Sequence, residues 1–460
     1  MTIPVKMNEI YTVAVTDLGI HGEGIGRAEG FTIFVPGALP GETVTARIAV
    51  LKKTYAAGRL VQILTPSPER AVPPCPAYGR CGGCQISHLS YPGQLAAARR
   101  RVESVLERIG GYPASLVRPV LGAADPFHYR NKMAVPAGPG KKGPVLGYYR
   151  QGSHEIVPVE SCAIQMEANN RLLAFARDFM ARHGITAYDE KTGKGAVRHI
   201  MGRVGEGRRL MAVIVTAETE LPRREAWISE MRRALPEVVS IYHNVQSRRS
   251  NVIFGPVLHH LWGEETLTAS LCGLRFQVSP YSFFQVNRSQ AEVLYEMALS
   301  FAALTGEETV IDAYCGTGTI SLCLAKKARR VVGIEIVRPA VENARENAAR
   351  NGIGHAEFLA GDAAELMPRL YREGMKPDVI VCDPARAGCD EKVLAAAAGM
   401  APRRIVYVSC NPSTFARDAA RLRGLGYTLK AVQPVDMFPQ TMHVELAALF
   451  TRDAGDKADG

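Results

Sequence analysis

At 460 residues the chain is long enough for roughly three ordinary domains. Its 47% hydrophobic and 22% charged content describes a soluble globular protein, and a net charge of +10 favours a polyanionic partner. No apolar run nears the roughly 18 residues of a membrane span, and MTIPVKMNEI lacks an apolar signal region. No membrane partner is expected, and the expected location is the cytoplasm.

From Ile10 to about Leu64, five β-like runs (IYTVAV, GEGIGRAEG, FTIFVP, TVTARIAVLK, GRLVQIL) are separated by Gly and Pro turns. They predict an OB-like β-barrel over 1–66, a fold suited to RNA or single strands. A Pro-rich boundary, TPSPERAVPPCP, leads into Cys75, Cys81 and Cys84 of CPAYGRCGGC. In a reducing compartment such clustering reads as metal ligands or catalysts rather than bridges. The three thiols suggest a metal site short of one ligand, for which Cys162 in VPVESCAIQ is the best candidate. Four cysteines serve zinc or an iron–sulfur cluster, and spacing alone does not decide.

YPGQLAAARRRVESVLERIGG predicts a helix with a basic face of Arg99, Arg100 and Arg108 and a Gly stop. From Leu121 to Trp262, strand-like VLGYYR, RHIMGRV, RLMAVIVTA and VVSIYHNV alternate with helical ANNRLLAFARDFMARHG and REAWISEMRRAL. This pattern reads as a separate α+β domain over 121–262, to which the cysteine segment 67–90 is assigned as one central domain. FHYRNK (127–132) interleaves aromatic and basic residues and reads either as an RNA contact or as an ordinary strand with a solvated face. SPYSFFQVN offers Phe283 and Phe284 for the same purpose, with Gln285 able to hydrogen-bond a ligand.

After Gly263 the buried strands VIDAYC, RVVGIEI, AEFLAGD, DVIVCDP and RIVYVSC alternate with Ala-rich helices. They predict a parallel, doubly wound α/β sheet, closed by an antiparallel VELAALFTR. The glycine turn at 312–320 admits a ligand close to the backbone. Glu335 ends the second strand, where such folds place a carboxylate for ribose hydroxyls. Asp362 ends the third, as an adenine contact or simply a helix cap. Asp383 ends the fourth. In this order they form an S-adenosylmethionine signature, with an NAD site second.

Cys410 ends the fifth strand in VSCNP, and an antiparallel last strand would bring Glu445 beside it. A thiolate and a carboxylate flanking one pocket suit a uracil ring: the thiolate adds to carbon 6, carbon 5 accepts a methyl group, and a base removes the carbon 5 proton. Cys272, Cys315, Cys323 and Cys382 lie in apolar segments and read as core. Cys389 reads as an incidental loop thiol, and the tail at 453–460 reads as disordered.

Taken in order, SFFQVN, DAYCGTGT, GIEI, DPARAG, VYVSCNPST and HVE resemble the RNA uracil-C5-methyltransferases of the RumA/TrmA group. The CxxxxxCxxC…C set resembles the iron–sulfur branch that modifies 23S ribosomal RNA. The resemblance implies an N-terminal TRAM barrel and an iron–sulfur central domain. It further implies a Rossmann-like methyltransferase domain over 91–120 and 263–452, with the helix around Leu95–Ile109 packed on it. A [4Fe-4S] cluster on Cys75, Cys81, Cys84 and Cys162 is implied, with a folding or RNA-positioning role rather than a redox one. S-adenosylmethionine contacts from Gln285, Tyr314, Glu335 and Asp383 are implied too, with Cys410 as nucleophile and Glu445 as proton acceptor. The implied partner is 23S rRNA bound by a monomer. The alternatives are a transfer RNA uracil-C5-methyltransferase and a non-catalytic RNA-binding factor for ribosome assembly.

Overall fold

The computed structural model describes residues 3–141 and 143–452; the expected tail at 453–460 lies outside the described residues. The chain divides into two compact units, Met1–Ala97 with Gly147–Val159 and Phe438–Met442, and Ala98–Leu146 with Glu160–Met437 and His443–Gly460. Among the described residues no helix is long and apolar enough to cross a membrane.

In the first unit, β1 (Ile10–Leu18), β2 (Gly24–Ala28), β3 (Phe31–Val35), β4 (Thr43–Leu51) and β5 (Tyr55–Thr65) close into a barrel of order β1-β2-β3-β5-β4. Alternating residues point inward, so that Val13, Ile33, Val35, Val44, Ala46 and Ile48 are fully buried. Gly26 allows β1 and β2 to approach: a Cβ there would stand 2.3 Å from the Ala14 carbonyl oxygen. Below the barrel, Arg70 grips the buried Glu42 with Nε–H and Nη2–H bonds of 2.6 and 2.8 Å. Burial alone would raise the Glu42 carboxyl. The Arg70 fork and the Leu39 and Ser67 amides outweigh it and hold the carboxyl below its usual range. This stabilisation is present at neutral pH and is lost as pH falls through the lowered value. Arg70→Met should cost about 3 kcal/mol in urea unfolding, because it strands a buried carboxylate. A cost below about 0.5 kcal/mol would show that the backbone amides suffice.

α1 (Tyr91–Val105) runs into one π turn and stops at Gly111, whose φ is +65°. Arg99 spends its charge on Glu103 at 2.8 Å, so the expected basic face reduces to Arg100 and Arg108. In the second unit, Val102 and Leu106 are buried in one core with Phe415, Ala419 and Leu422.

The strands β6 (Lys132–Gly140), β7 (Gly143–Tyr149), β8 (Ile156–Pro158), β9 (Val197–Val204), β10 (Leu210–Thr216), β11 (Val238–Val245) and β12 (Val257–Gly263) follow, with α2 (Glu167–Arg182) and α3 (Arg224–Ala234) between them. Within the second unit the sheet runs β12-β11-β10-β9-β6-β7, while the end of β7 pairs with β8 in the first unit. Trp227 of α3 is fully buried against Phe179 of α2. The expected α+β layer is therefore present.

A hairpin of β13 (Leu267–Leu271) and β14 (Leu274–Val278) and helix α4 (Arg288–Ala302) lead into the last sheet. Its parallel strands are β15 (Thr309–Asp312), β16 (Arg330–Glu335), β17 (Ala356–Ala360), β18 (Val379–Cys382) and β19 (Arg404–Ser409). They alternate with α5 (Thr319–Ala325), α6 (Arg338–Arg350), α7 (Ala363–Arg372), α8 (Glu391–Gly399) and α9 (Pro412–Gly424). Two antiparallel strands, β20 (Tyr427–Val435) and β21 (Glu445–Arg452), complete the order β17-β16-β15-β18-β19-β21-β20. β15 and β18 are buried at every position, as strands covered on both faces must be. The sequence reading located β21 and its direction but missed β20.

Candidate active site

The carboxyl edge of the parallel strands carries the site. Asp312 ends β15 almost fully buried. Ser321 Oγ–H donates to it at 2.6 Å and the Tyr314 amide at 3.4 Å, which fixes the following turn. Burial raises its carboxyl to about 6, the two bonds holding it back and the charge of Glu335 adding to the rise. In that turn Gly318 (φ +82°) packs under Phe358, whereas Gly316 (φ +53°) faces open space where a Cβ would project. The Gly316 amide donates to Glu335 Oε2 at 3.1 Å and the Val337 amide to Oε1 at 2.9 Å. Glu335 is thus oriented at the mouth of an open backbone cradle. Ile336 beside it is 68% exposed, an apolar surface that sequence reasoning missed.

Gln285 reaches this crevice from the segment before α4. Asn287 caps α4 through the Gln290 amide, and its Nδ2–H donates to the Met437 carbonyl at 3.1 Å. Asn131 donates to the Gln285 carbonyl at 3.0 Å. The Gln285 side chain hydrogen-bonds the Tyr295 hydroxyl, which also lies 3.2 Å from Thr319 Oγ1 at the start of α5. Burial, then the charge of Asp383, pushes the Tyr295 hydroxyl far up, so it stays a neutral donor. Tyr295 was not foreseen.

On β19 and β21, Ser409 pairs with Leu446, a register that brings Cys410 alongside Glu445 at the strand ends. The turn after Cys410 holds the neighbouring loop: Asn411 Nδ2–H and Thr414 Oγ–H both donate to the Arg386 carbonyl, at 3.1 and 3.3 Å. Gly388 (φ +81°) lets that loop pass α9; a Cβ there would stand 2.5 Å from Arg417 and Asp418. The fully buried Asp418 ties the loop down, accepting from the Cys389 amide at 2.8 Å and the Tyr407 hydroxyl at 2.7 Å. Asp418→Ala should cost about 3 kcal/mol and loosen this loop, read as a lower urea midpoint together with weaker methyl transfer.

Electrostatically these groups form one set. Burial pushes Glu445 up to about 7, with the nearby Arg386 charge opposing the shift. Burial and then the carboxylates of Glu445 and Asp383 raise the Cys410 thiol, again opposed by Arg386. Burial, then Glu445 and Asp312, raise Asp383 well above the carboxylate range. His443 is held neutral by burial and by the charges of Arg386, Arg101 and Arg130. Arg386 and His443 were missed as site residues. Their signal was spacing, three residues past Asp383 and two before Glu445.

The remaining expected residues have the following surroundings. Asp362 is exposed and caps α7 through the Ala364 amide at 2.8 Å, the alternative reading of that position. Tyr314 packs into the core, its hydroxyl against Cys389 and the Asp390 amide. Cys389 is a loop thiol, as expected, but at 2% exposure it is buried rather than incidental. Phe284 is buried against Phe276, leaving Phe283, at 74% exposure, as the aromatic offered to solvent. In the first unit Cys75, Cys81 and Cys84 are half-buried, and the Gly83 amide donates to Cys81 Sγ at 3.4 Å. In the second unit Asn170 brackets the half-buried Cys162, accepting from its amide and donating to its carbonyl. Among the described residues no group of three or more His, Cys, Asp or Glu side chains is arranged to hold a metal ion. The expected iron–sulfur character of the central domain is therefore not visible in the fold.

Residues 257–453 match the tRNA (Uracil-5-)-methyltransferase family, and residues 4–61 match the TRAM domain. An uncharacterized RNA methyltransferase of Halalkalibacterium halodurans is 45% identical over 447 residues, 97% of this chain and 98% of that protein. One from Bacillus cereus is 47% identical over 453 residues, 98% of each. Among solved structures, the Pyrococcus abyssi tRNA (uracil-54, C5)-methyltransferase in complex with S-adenosyl-L-homocysteine superposes with a TM-score of 0.78. It shares 27% identity, over 95% of this chain and 99% of that one. Likeness at this level, over nearly the whole length, places the chain in the family of S-adenosylmethionine-dependent RNA uracil-5 methyltransferases.

Proposed function

We propose that the enzyme methylates carbon 5 of a uridine in 23S ribosomal RNA, with Cys410 as nucleophile and Glu445 as base. The observation that carries this reading is the β19–β21 register, which sets a thiol and a carboxyl side by side with Arg386 facing both. S-adenosylmethionine supplies an electrophilic methyl group on sulfur. The open cradle at Gly316, the oriented Glu335 carboxylate and the apolar Ile336 fit its nucleoside end. Gln285, Tyr314 and Asp383, as the resemblance implies, together with Asp362 would complete the S-adenosylmethionine contacts with Glu335.

In the reaction, the Cys410 thiolate forms a bond to carbon 6, and the electron pair moves toward carbon 5 and the carbon 4 oxygen. Carbon 5 takes the methyl group. Glu445, as carboxylate, then removes the carbon 5 proton; the ring double bond reforms and the carbon–sulfur bond breaks. Arg386 favours both anionic forms, thiolate and carboxylate, in a buried site that otherwise disfavours them. Carbons 5 and 6 are out of reach in a stacked helix, so the uridine must be flipped out of an RNA loop.

Cys75, Cys81, Cys84 and Cys162 would hold a [4Fe-4S] cluster. This assignment is carried by the resemblance; thiolates are the donors such a cluster takes, and the four are free thiols. Its role would be to order the polypeptide that meets RNA, and no methylation step runs through it. An anaerobic preparation should be brown with acid-labile sulfide; a colourless protein carrying stoichiometric zinc would contradict this.

A transfer RNA substrate is the second reading, favoured by the Pyrococcus abyssi protein, which is named for tRNA uracil-54. The deciding experiment supplies labelled methyl donor and unmodified total RNA, then maps the labelled nucleotide. Label at uridine carbon 5 in 23S rRNA is expected; label confined to transfer RNA would overturn the substrate assignment.

A further inference from the structure

Lys132 opens β6, and Arg203 stands directly opposite it on β9. Like charges facing each other across a strand pair destabilise a sheet. Here the pair is also deprived of water, since Arg203 is 3% exposed and Lys132 is half-buried. Arg203 donates one Nη2–H to the Ser282 carbonyl at 2.7 Å, yet its buried Nε–H finds no acceptor. Burial, then the charges of Arg203 and Arg130, pulls the Lys132 ammonium down to about 8. Among the described residues no carboxylate enters the electrostatics of either Lys132 or Arg203. Several other partly buried cations have carboxylate partners: Arg70 with Glu42, Arg99 with Glu103, Arg421 with Asp418.

The location gives this charge a use. Between Arg130 and Lys132, Asn131 bonds the Gln285 carbonyl at 3.0 Å and donates its own amide to the Val286 carbonyl at 2.9 Å. Arg203 bonds Ser282 of the same segment. The cations therefore back onto the stretch that carries exposed Phe283 and the crevice residue Gln285. An uncompensated cation in low dielectric is costly, and an arriving anion with several acceptor oxygens removes that cost.

We infer that Lys132 and Arg130, backed by the buried Arg203, form a phosphate site that takes a backbone phosphodiester of the RNA beside the target uridine. The inference rests on the RNA-methylation reading and adds a defined anchor to it. One seated phosphate fixes the strand relative to Phe283, so that the flipped base enters the crevice in a single register. The competing source of negative charge is the carboxylate of the methyl donor, which the test separates.

The test uses full-length protein and an in vitro transcript of 23S rRNA. Lys132→Met should weaken transcript binding about tenfold at low salt. It should also flatten the slope of log affinity against log salt by about 0.7, the share of one phosphate contact on a single strand. Lys132→Arg should restore both. Affinity for S-adenosylmethionine should stay unchanged, and the thermal midpoint of Lys132→Met should hold or rise, since an unpaired buried charge has gone; a purely structural lysine would lower it. Unchanged RNA affinity and salt slope in Lys132→Met, or a shift in methyl-donor affinity in their place, would overturn the site. Wild-type enzyme that binds the transcript but methylates none of its uridines would sink the functional reading, while the binding comparison still judges the phosphate site.

Discussion

Cys410→Ser should lose methyl transfer by about four orders of magnitude or more while keeping its fold and its affinity for both substrates. The serine oxygen has nearly the same size, but its proton leaves only at far higher pH, so no nucleophile forms in a pocket already hostile to anions. That hostility is visible in the raised Cys410 thiol, which faces burial and two carboxyls with Arg386 in opposition. The measurement is single-turnover transfer of labelled methyl, paired with separate binding titrations of RNA and S-adenosylmethionine. A serine variant retaining more than about a hundredth of wild-type activity would show that carbon 5 is activated without sulfur addition.

Glu445→Gln should behave differently, and the difference separates the two roles. Bond formation at carbon 6 and methylation at carbon 5 can still occur once. The carbon 5 proton then has no acceptor, so the protein stays joined to the methylated RNA and turnover falls about a thousandfold. The same substitution should stabilise the fold at alkaline pH. The Glu445 carboxyl is raised from an ordinary 4.5 to about 7, so native stability is fully present below 4.5 and declines as pH rises through 7. Glutamine removes that decline, worth on the order of 3 kcal/mol by pH 8, and should raise the thermal midpoint there. In the wild type the same titration makes turnover climb between about pH 6 and 8, as Glu445 becomes a base and the Cys410 thiolate fraction grows. A wild-type profile that falls over this window would reverse the assignment of Glu445 as base.

The α/β sheet was legible because its strands are apolar runs buried on both faces, and because each chemical residue sits one position past a run. VIDAYC, DVIVCDP and RIVYVSC announce both the strand and its carboxyl end. β20 escaped because it is an edge strand: Lys430 and Gln433 interrupt its apolar pattern and Pro434 argues against a ladder position, which an edge tolerates. Asp362 shows the limit of reading single residues, since an acidic residue before a helix satisfies the cap rule whether or not a ligand is present. Arg386 and His443 were hidden for a different reason. Arg386 meets Cys410 and Glu445 from a separate loop, and His443 meets Arg386 in turn, and no local pattern encodes those meetings. Phe283 and Phe284 read identically in sequence, and only packing against Phe276 decides which one is buried.

The central claim is a transient sulfur–carbon bond at position 410, and a substrate that cannot release it tests that bond directly. RNA containing 5-fluorouridine offers a carbon 5 substituent that Glu445 cannot remove as a proton. With S-adenosylmethionine present, wild-type enzyme should yield a denaturation-resistant protein–RNA adduct, with the nucleotide mapped by mass spectrometry to the peptide containing Cys410. Active enzyme that methylates ordinary uridine but forms no adduct with the fluorinated RNA, or forms it on another residue, would contradict the account.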